Sequence, residues 1–147
     1  EAVMRLGRIG FDNVNGYLAD GMRALEKRPE LAERTQRITA AALADWRAGR
    51  RPDAGAAPTV LDIRSEAEHA AGHIPGSLNI PLPRLEERYG EVPTAGPLVV
   101  HCEGGYRSAI GVSLLQKIGR PHVHDLVGGF KAWSAMQRPM EQADAQV

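Results

Sequence analysis

Apolar and polar positions along this chain follow two rhythms. From Ile38 onward, short apolar runs give way in turn to stretches with helical spacing, the pattern of a domain that layers helices on a sheet. Thr39 has the chemistry of an N-cap before a helix over Ala40–Ala48, where Ala42 and Trp46 share a face with Leu43 beside them. Gly49–Pro58 is rich in Gly, Pro and Ala and predicts a loop, with Arg50, Arg51 and Asp53 on it. Thr59–Ile63 reads as a buried strand. Ser65 and Glu68 have the spacing of a capping box, so a short helix should follow that strand.

Gly72–Gly76 then forces a turn, and Leu78–Leu82 predicts a short extended segment. Arg84–Tyr89 has helical spacing and ends at Gly90. Pro97–His101 is the most strand-like stretch of the chain. It runs into Cys102 and a glycine pair, after which Ser108–Ile118 predicts a strong helix closed by Gly119. His122–Leu126 gives another strand and Gly129–Met136 a last helix. The first 37 residues behave differently: Arg5–Leu18 has no clean period, and Pro29 interrupts the charged stretch Arg23–Arg34. This segment reads as a connector or as the tail of a preceding domain.

Composition narrows the classes. The 147 residues suit one domain of ordinary size, and 43% apolar residues can build its core. Eighteen basic side chains balance eighteen acidic ones, which speaks against a dedicated nucleic-acid binder. The imbalance within the chain is small, with ten Lys/Arg against seven Asp/Glu in residues 1–51 and eight against eleven in the remainder. No apolar run approaches the roughly 18 residues of a membrane span. The single cysteine excludes an internal disulfide and any zinc site built on several thiolates. A start at Glu1 with no signal-like pattern leads to the expectation of a cytoplasmic piece of a longer protein.

The chemistry concentrates in Cys102-Glu103-Gly104-Gly105-Tyr106-Arg107-Ser108. A cysteine at the C-terminal end of a strand, followed by a glycine-rich loop and a helix, stands where α/β sheets place ligands. Backbone N–H groups of such a loop converge into an anion nest, and the helix adds its positive end. Both lower a thiol's pKa and supply a thiolate nucleophile near neutral pH. Gly104 and Gly105 would allow positive φ and close backbone approach to a bound group. Arg107 is expected to add a positive charge at the far side of the loop.

These residues carry a resemblance. Val60-Leu61-Asp62-Ile63-Arg64 with Glu68, Gly72–Ser77 with Asn79 and Pro81, Cys102–Ser108, and Leu126–Phe130 with Trp133 match four motifs of the rhodanese domain in order and spacing. The resemblance implies an α/β fold with a five-stranded parallel sheet flanked by helices. It implies a domain over residues 35–140, with 1–34 an N-terminal connector and 141–147 a C-terminal tail. It also implies a sulfurtransferase: Cys102 accepts a sulfane sulfur from a small donor, holds it as a persulfide without metal or organic cofactor, and passes it to a thiol or cyanide. Glu103, Gly104, Gly105, Tyr106, Arg107 and Ser108 line the substrate loop. Arg5–Val14 with Gly16-Tyr17-Leu18 is similar to the end of the metallo-β-lactamase-like domain in proteins that fuse it to rhodanese. Such a fusion would make that domain a partner, although its His-x-His-x-Asp-His cluster is absent from this chain.

The remaining residues have plainer readings. Asp62 and Arg64 read as a strand-end pair, His73 as a turn anchor, and Phe130 and Trp133 as core. His122 and His124 share a strand face by alternation, yet two ligands make a poor metal site. His101 precedes Cys102 and points to the opposite face, so it is not assigned as a base. Tyr106 offers a wall to a thiol acceptor. Glu103 departs from the basic loops of sulfurtransferases that prefer thiosulfate. Its repulsion should weaken thiosulfate use by about fivefold to thirtyfold, through about 1–2 kcal/mol. Two rivals stand beside the transferase: a non-catalytic interaction module, and a phosphatase or arsenate reductase. Only four residues separate Cys102 from Arg107, one fewer than the Cys-x5-Arg loop those enzymes use.

Overall fold

The computed structural model describes residues 3–4, 13–32 and 34–142. The chain divides into two compact units, residues 1–34 and 35–147. In the first, helix α1 (Arg23–Glu26) spans a single turn with no buried side chain, and Pro29–Leu31 forms a tight 3₁₀ turn. Pro29 opens that turn, where a missing N–H costs nothing. Residues 5–12, most of the stretch compared with the metallo-β-lactamase-like domain, lie outside the described residues.

The second unit is built on five strands: β1 (Gln36–Ile38), β2 (Thr59–Asp62), β3 (Leu78–Asn79), β4 (Leu98–His101) and β5 (Val123–Leu126). All pairings are parallel, in the order β1-β5-β4-β2-β3. The central strand β4 is buried on both faces over its whole length, which is why it reads as an unbroken apolar run. Alternation sends Leu98, Val100 and Cys102 into one core with Leu61, Ile63, Val112 and Leu115. Val99 faces the other core, with Leu43, Trp46, Leu126 and Trp133.

Four helices cover the sheet: α2 (Ala40–Arg47), α3 (Glu66–Ala71), α4 (Tyr106–Lys117) and α5 (Gly129–Ala135). The caps form as their residues imply. The Thr39 side chain accepts from the Ala42 N–H at 3.2 Å. Ser65 and Glu68 form a reciprocal capping box on α3.

Three expectations need correction. Gln36 and Arg37, within the first 37 residues read as a connector or tail, belong instead to β1, a short edge strand in which only Ile38 is buried and which is held by its pairing with β5. Arg84–Tyr89 is not a helix but a chain of turns, with 3₁₀ turns at Leu82–Arg84 and Tyr89–Glu91. Leu85 is the one fully buried residue of that stretch, and a single anchor does not offset the cost of nucleating a helix. His122 precedes β5 with φ +52°, so strand alternation does not relate it to His124.

Candidate functional site

The central position of β4 puts Cys102 in the middle of the sheet's C-terminal edge. The loop 102–105 leads into α4, whose N-cap Gly105 has φ +106°. Gly104 has no positive φ and open space beside its Cα, so of the two glycines only Gly105 uses the left-handed freedom that glycine allows. This geometry turns the Gly105 N–H onto the Cys102 sulfur, N to Sγ 3.1 Å. The Ser108 Oγ lies 3.7 Å from the same sulfur and donates to the Gly105 carbonyl at 3.0 Å.

Cys102 is 1% exposed. Burial alone pushes its thiol up. The N–H groups of Ser108 and Gly105, the Ser108 hydroxyl and the Gly104 N–H outweigh that burial and hold the thiol below its ordinary pKa. Helix α4, twelve residues long, adds its positive end to the same sulfur.

The loop is fastened from behind by α5. The Phe130 N–H donates to the Cys102 carbonyl at 2.8 Å, and the Lys131 N–H to the Glu103 carbonyl at 3.0 Å. Gly128 and Gly129, with φ +74° and +57°, make the approach possible. A Cβ on Gly129 would stand 2.4 Å from the Cys102 carbonyl oxygen.

The charged groups are paired. Arg107 does not stand free: its Nη1 and Nη2 donate to the Glu68 carboxylate at 2.8 and 2.7 Å. That contact leads the causes that hold the Glu68 carboxyl at about 2 and raise Arg107 above its ordinary value. Glu68 thus caps α3 and restrains Arg107 at once; its sequence motif disclosed only the cap. Arg64, 2% exposed, donates from Nη2 to Asp62 at 2.7 Å and to the Gly72 carbonyl at 2.8 Å. Its Nη1 reaches Glu103 at 3.0 Å, and its guanidinium lies over the Phe130 ring, 4.1 Å from the centroid. The structure therefore makes Arg64 a link between the strand-end pair and the loop, a role its reading as half of a structural pair does not contain.

His101 is fully buried on the opposite face, its Nδ1 donating to the Cys102 carbonyl at 3.2 Å, and burial lowers its pKa. His73 pins the turn by donating from Nδ1 to the His69 carbonyl at 2.9 Å. Phe130 packs at the edge of the core and Trp133 within it. Tyr106 is 90% exposed, so it forms no wall of an enclosed site. Among the described residues no group of three or more His, Cys, Asp or Glu side chains could hold a metal ion, and no helix is long and apolar enough to cross a membrane.

Comparison with known proteins places these features. The rhodanese-like domain family matches residues 39–136. A sulfurtransferase of Allochromatium vinosum is 35% identical over 81 residues, covering 55% of this chain and 76% of that protein. Two other curated relatives are spanned over only 59% and 41% of their own length. Among solved structures, a rhodanese-related protein of Thermoplasma volcanium superposes with a TM-score of 0.61 at 31% identity, over 72% of this chain and 97% of the other. A Rhodopseudomonas palustris protein described as a possible tyrosine phosphatase gives 0.59 at 27% identity, over 88% of this chain and all of the other.

Proposed function

Because the chain belongs to the rhodanese-like domain family, we propose that it is a sulfurtransferase carrying sulfane sulfur as a persulfide on Cys102. The observation that supports this reading is the sulfur held 3.1 Å from the Gly105 N–H, its pKa depressed within a nest of backbone donors. In the first step the Cys102 thiolate attacks the outer sulfur of a donor. The donor's bond to that sulfur breaks, and the donor's remaining group leaves with the electron pair as a thiolate or sulfite. In the second step an acceptor thiolate or cyanide attacks the same sulfur, and the Cys102 thiolate returns. Neither step needs an oxidant, a metal or an organic cofactor. Glu103–Ser108 form the rim and floor of the substrate loop in this reading.

We assign the domain to residues 35–140, with 1–34 as a connector. Glu141, placed in the C-terminal tail, pairs its backbone with His73. A cytoplasmic location and an upstream metallo-β-lactamase-like domain belong to the same proposal; the relatives compared give that domain no support. The phosphatase reading draws on the R. palustris neighbour. Against it stand the four-residue spacing from Cys102 to Arg107 and the engagement of Arg107 by Glu68, which occupies the guanidinium that would cradle a phosphoryl group.

Intact mass after incubation with thiosulfate or glutathione persulfide tests the reading. The protein should gain one sulfur that an added thiol removes, and Cys102→Ser should gain none while keeping its circular dichroism. A folded wild-type protein that takes up no sulfur from either donor favours the non-catalytic module. Hydrolysis of an aryl phosphate that depends on Cys102 favours the phosphatase.

A further inference from the structure

A cavity of about 770 Å³ opens at the end of the sheet where the strands begin. Its lining includes Gln36, the first residue of β1, and Pro97 and His122, which stand just before β4 and β5. Cys102 follows the far end of β4, so about 13 Å of strand separates the two places. The volume is that of sites that enclose a small organic ligand.

The groups around it are aromatic and cationic. The Trp46 and His124 rings meet edge to face, 5.4 Å between centroids, and the Arg51 guanidinium lies over Trp46 at 5.8 Å. Arg51 and Arg37 both line the cavity and are only loosely paired, with 4.0 Å to Asp53 and 3.5 Å to Asp125. His122 lines it as well, and Asp53 is its one acidic lining residue, mostly turned to solvent. Burial leads the causes that push the His124 pKa down, and His122 and Arg51 add to it.

We propose that this cavity is a second binding site, for a flat organic anion whose ring lies against Trp46 and His124 and whose charge is held by Arg51 and Arg37. The recognition follows from the lining. Aromatic faces and edges favour a planar ring, and the two loosely paired guanidiniums select a phosphate or carboxylate on it. The site uses no residue of the Cys102 loop, so it stands whether or not sulfur transfer does.

The test titrates the full chain with adenosine monophosphate, and separately with adenosine and with inorganic phosphate. The His122 and His124 ring resonances and tryptophan emission are followed in each. Adenosine monophosphate should shift both rings and quench emission, and each half alone should bind at least about tenfold more weakly. Arg51→Gln and Arg37→Gln should each raise its Kd by about tenfold and leave sulfur uptake by Cys102 unchanged. Adenosine binding as tightly as the monophosphate removes the role of charge and overturns the proposal. Phosphate binding as tightly removes the role of the ring and does the same. Histidine rings that stay unmoved with every probe at about 5 mM, enough to fill a site with a Kd near 1 mM, also overturn it.

Discussion

Replacing Gly129 by alanine probes what holds the Cys102 loop in register. Gly129 has φ +57°, a region that costs alanine about 1–2 kcal/mol. The added Cβ meets the Cys102 carbonyl oxygen at 2.4 Å, the Glu103 carbonyl oxygen at 2.6 Å and the Glu103 carbonyl carbon at 2.8 Å. Ordinary contact begins at 3.4 Å, so the loop backbone has to retreat by about 1 Å. Those two carbonyls are the acceptors of the Phe130 and Lys131 N–H groups, and lengthening these bonds loses about 0.5–1.5 kcal/mol each. The expected loss of stability is about 2–4 kcal/mol, read from the urea midpoint. Sulfur transfer should fall by about a hundredfold, because a displacement of about 1 Å at a reacting group has that effect. The assay is run where circular dichroism shows both proteins folded. Gly104→Ala is the control: its Cβ meets nothing within 4 Å, and its transfer rate should stay within about threefold of wild type. A folded Gly129→Ala protein that transfers sulfur at the wild-type rate would refute the reasoning, since α5 would then not set the loop.

Three further outcomes follow from the same geometry. Ser108→Ala removes a hydroxyl that stabilises the thiolate by turning its hydrogen from the Gly105 carbonyl to the sulfur, so the Cys102 pKa rises and the pH profile of alkylation by iodoacetamide moves to higher pH; an unmoved profile assigns the effect to the backbone donors alone. Glu68→Gln removes a carboxylate held at about 2 instead of 4.5, so its contribution is complete above pH 4.5 and disappears as pH falls toward 2. For a pair more than one-third exposed, the wild type should lead the variant by about 1 kcal/mol at pH 7, and urea midpoints should converge near pH 2. Glu103→Gln should change kcat/KM for thiosulfate by less than about threefold at low salt, and a rise above about tenfold would show that the carboxylate acts on the donor unpaired.

The sequence made most of the fold legible where one physical cause dominates. β4 is buried over its whole length, so its apolar run is unambiguous. Thr39 and Ser65 cap through bonds to residues three positions away, which spacing reveals. Strand β1 was opaque because its stability comes from pairing with β5, a partner about ninety residues distant, as the register of Gln36 with His124 illustrates. Arg84–Tyr89 has helical spacing, yet a stretch with one buried anchor follows its tertiary surroundings. At the candidate site, Cys102 and its loop stood out because strand, glycine pair and helix are contiguous. The α5 hydrogen bonds and the Arg64–Glu103 pair were hidden because they join residues 28 and 39 positions apart.

That last pair alters the electrostatic argument for Glu103. Along the sequence, Glu103 stands beside the nucleophile as an uncompensated negative charge, and Arg107 as an uncompensated positive one. In the fold each is met by a residue from elsewhere: Glu103 by Arg64 at 3.0 Å and Arg107 by Glu68 at 2.7 Å. Asp62 shares Arg64, so two cations and three anions surround the loop, and beyond a Debye length of about 8–10 Å their fields cancel but for one negative charge. The expected penalty of about 1–2 kcal/mol against thiosulfate assumed a lone carboxylate, and the contact with Arg64 reduces it. The other selector of a donor is short-range: the N–H groups of Ser108, Gly105 and Gly104 aimed at the Cys102 sulfur. In the proposed persulfide the charge moves outward by one S–S bond, about 2 Å. Donors fixed by the backbone cannot follow it as a flexible side chain does, so the loop's register limits which sulfur species are stabilised. In the proposed reaction, donor choice is therefore a question of where Gly105 and Gly129 hold the backbone as well as of the charge on Glu103.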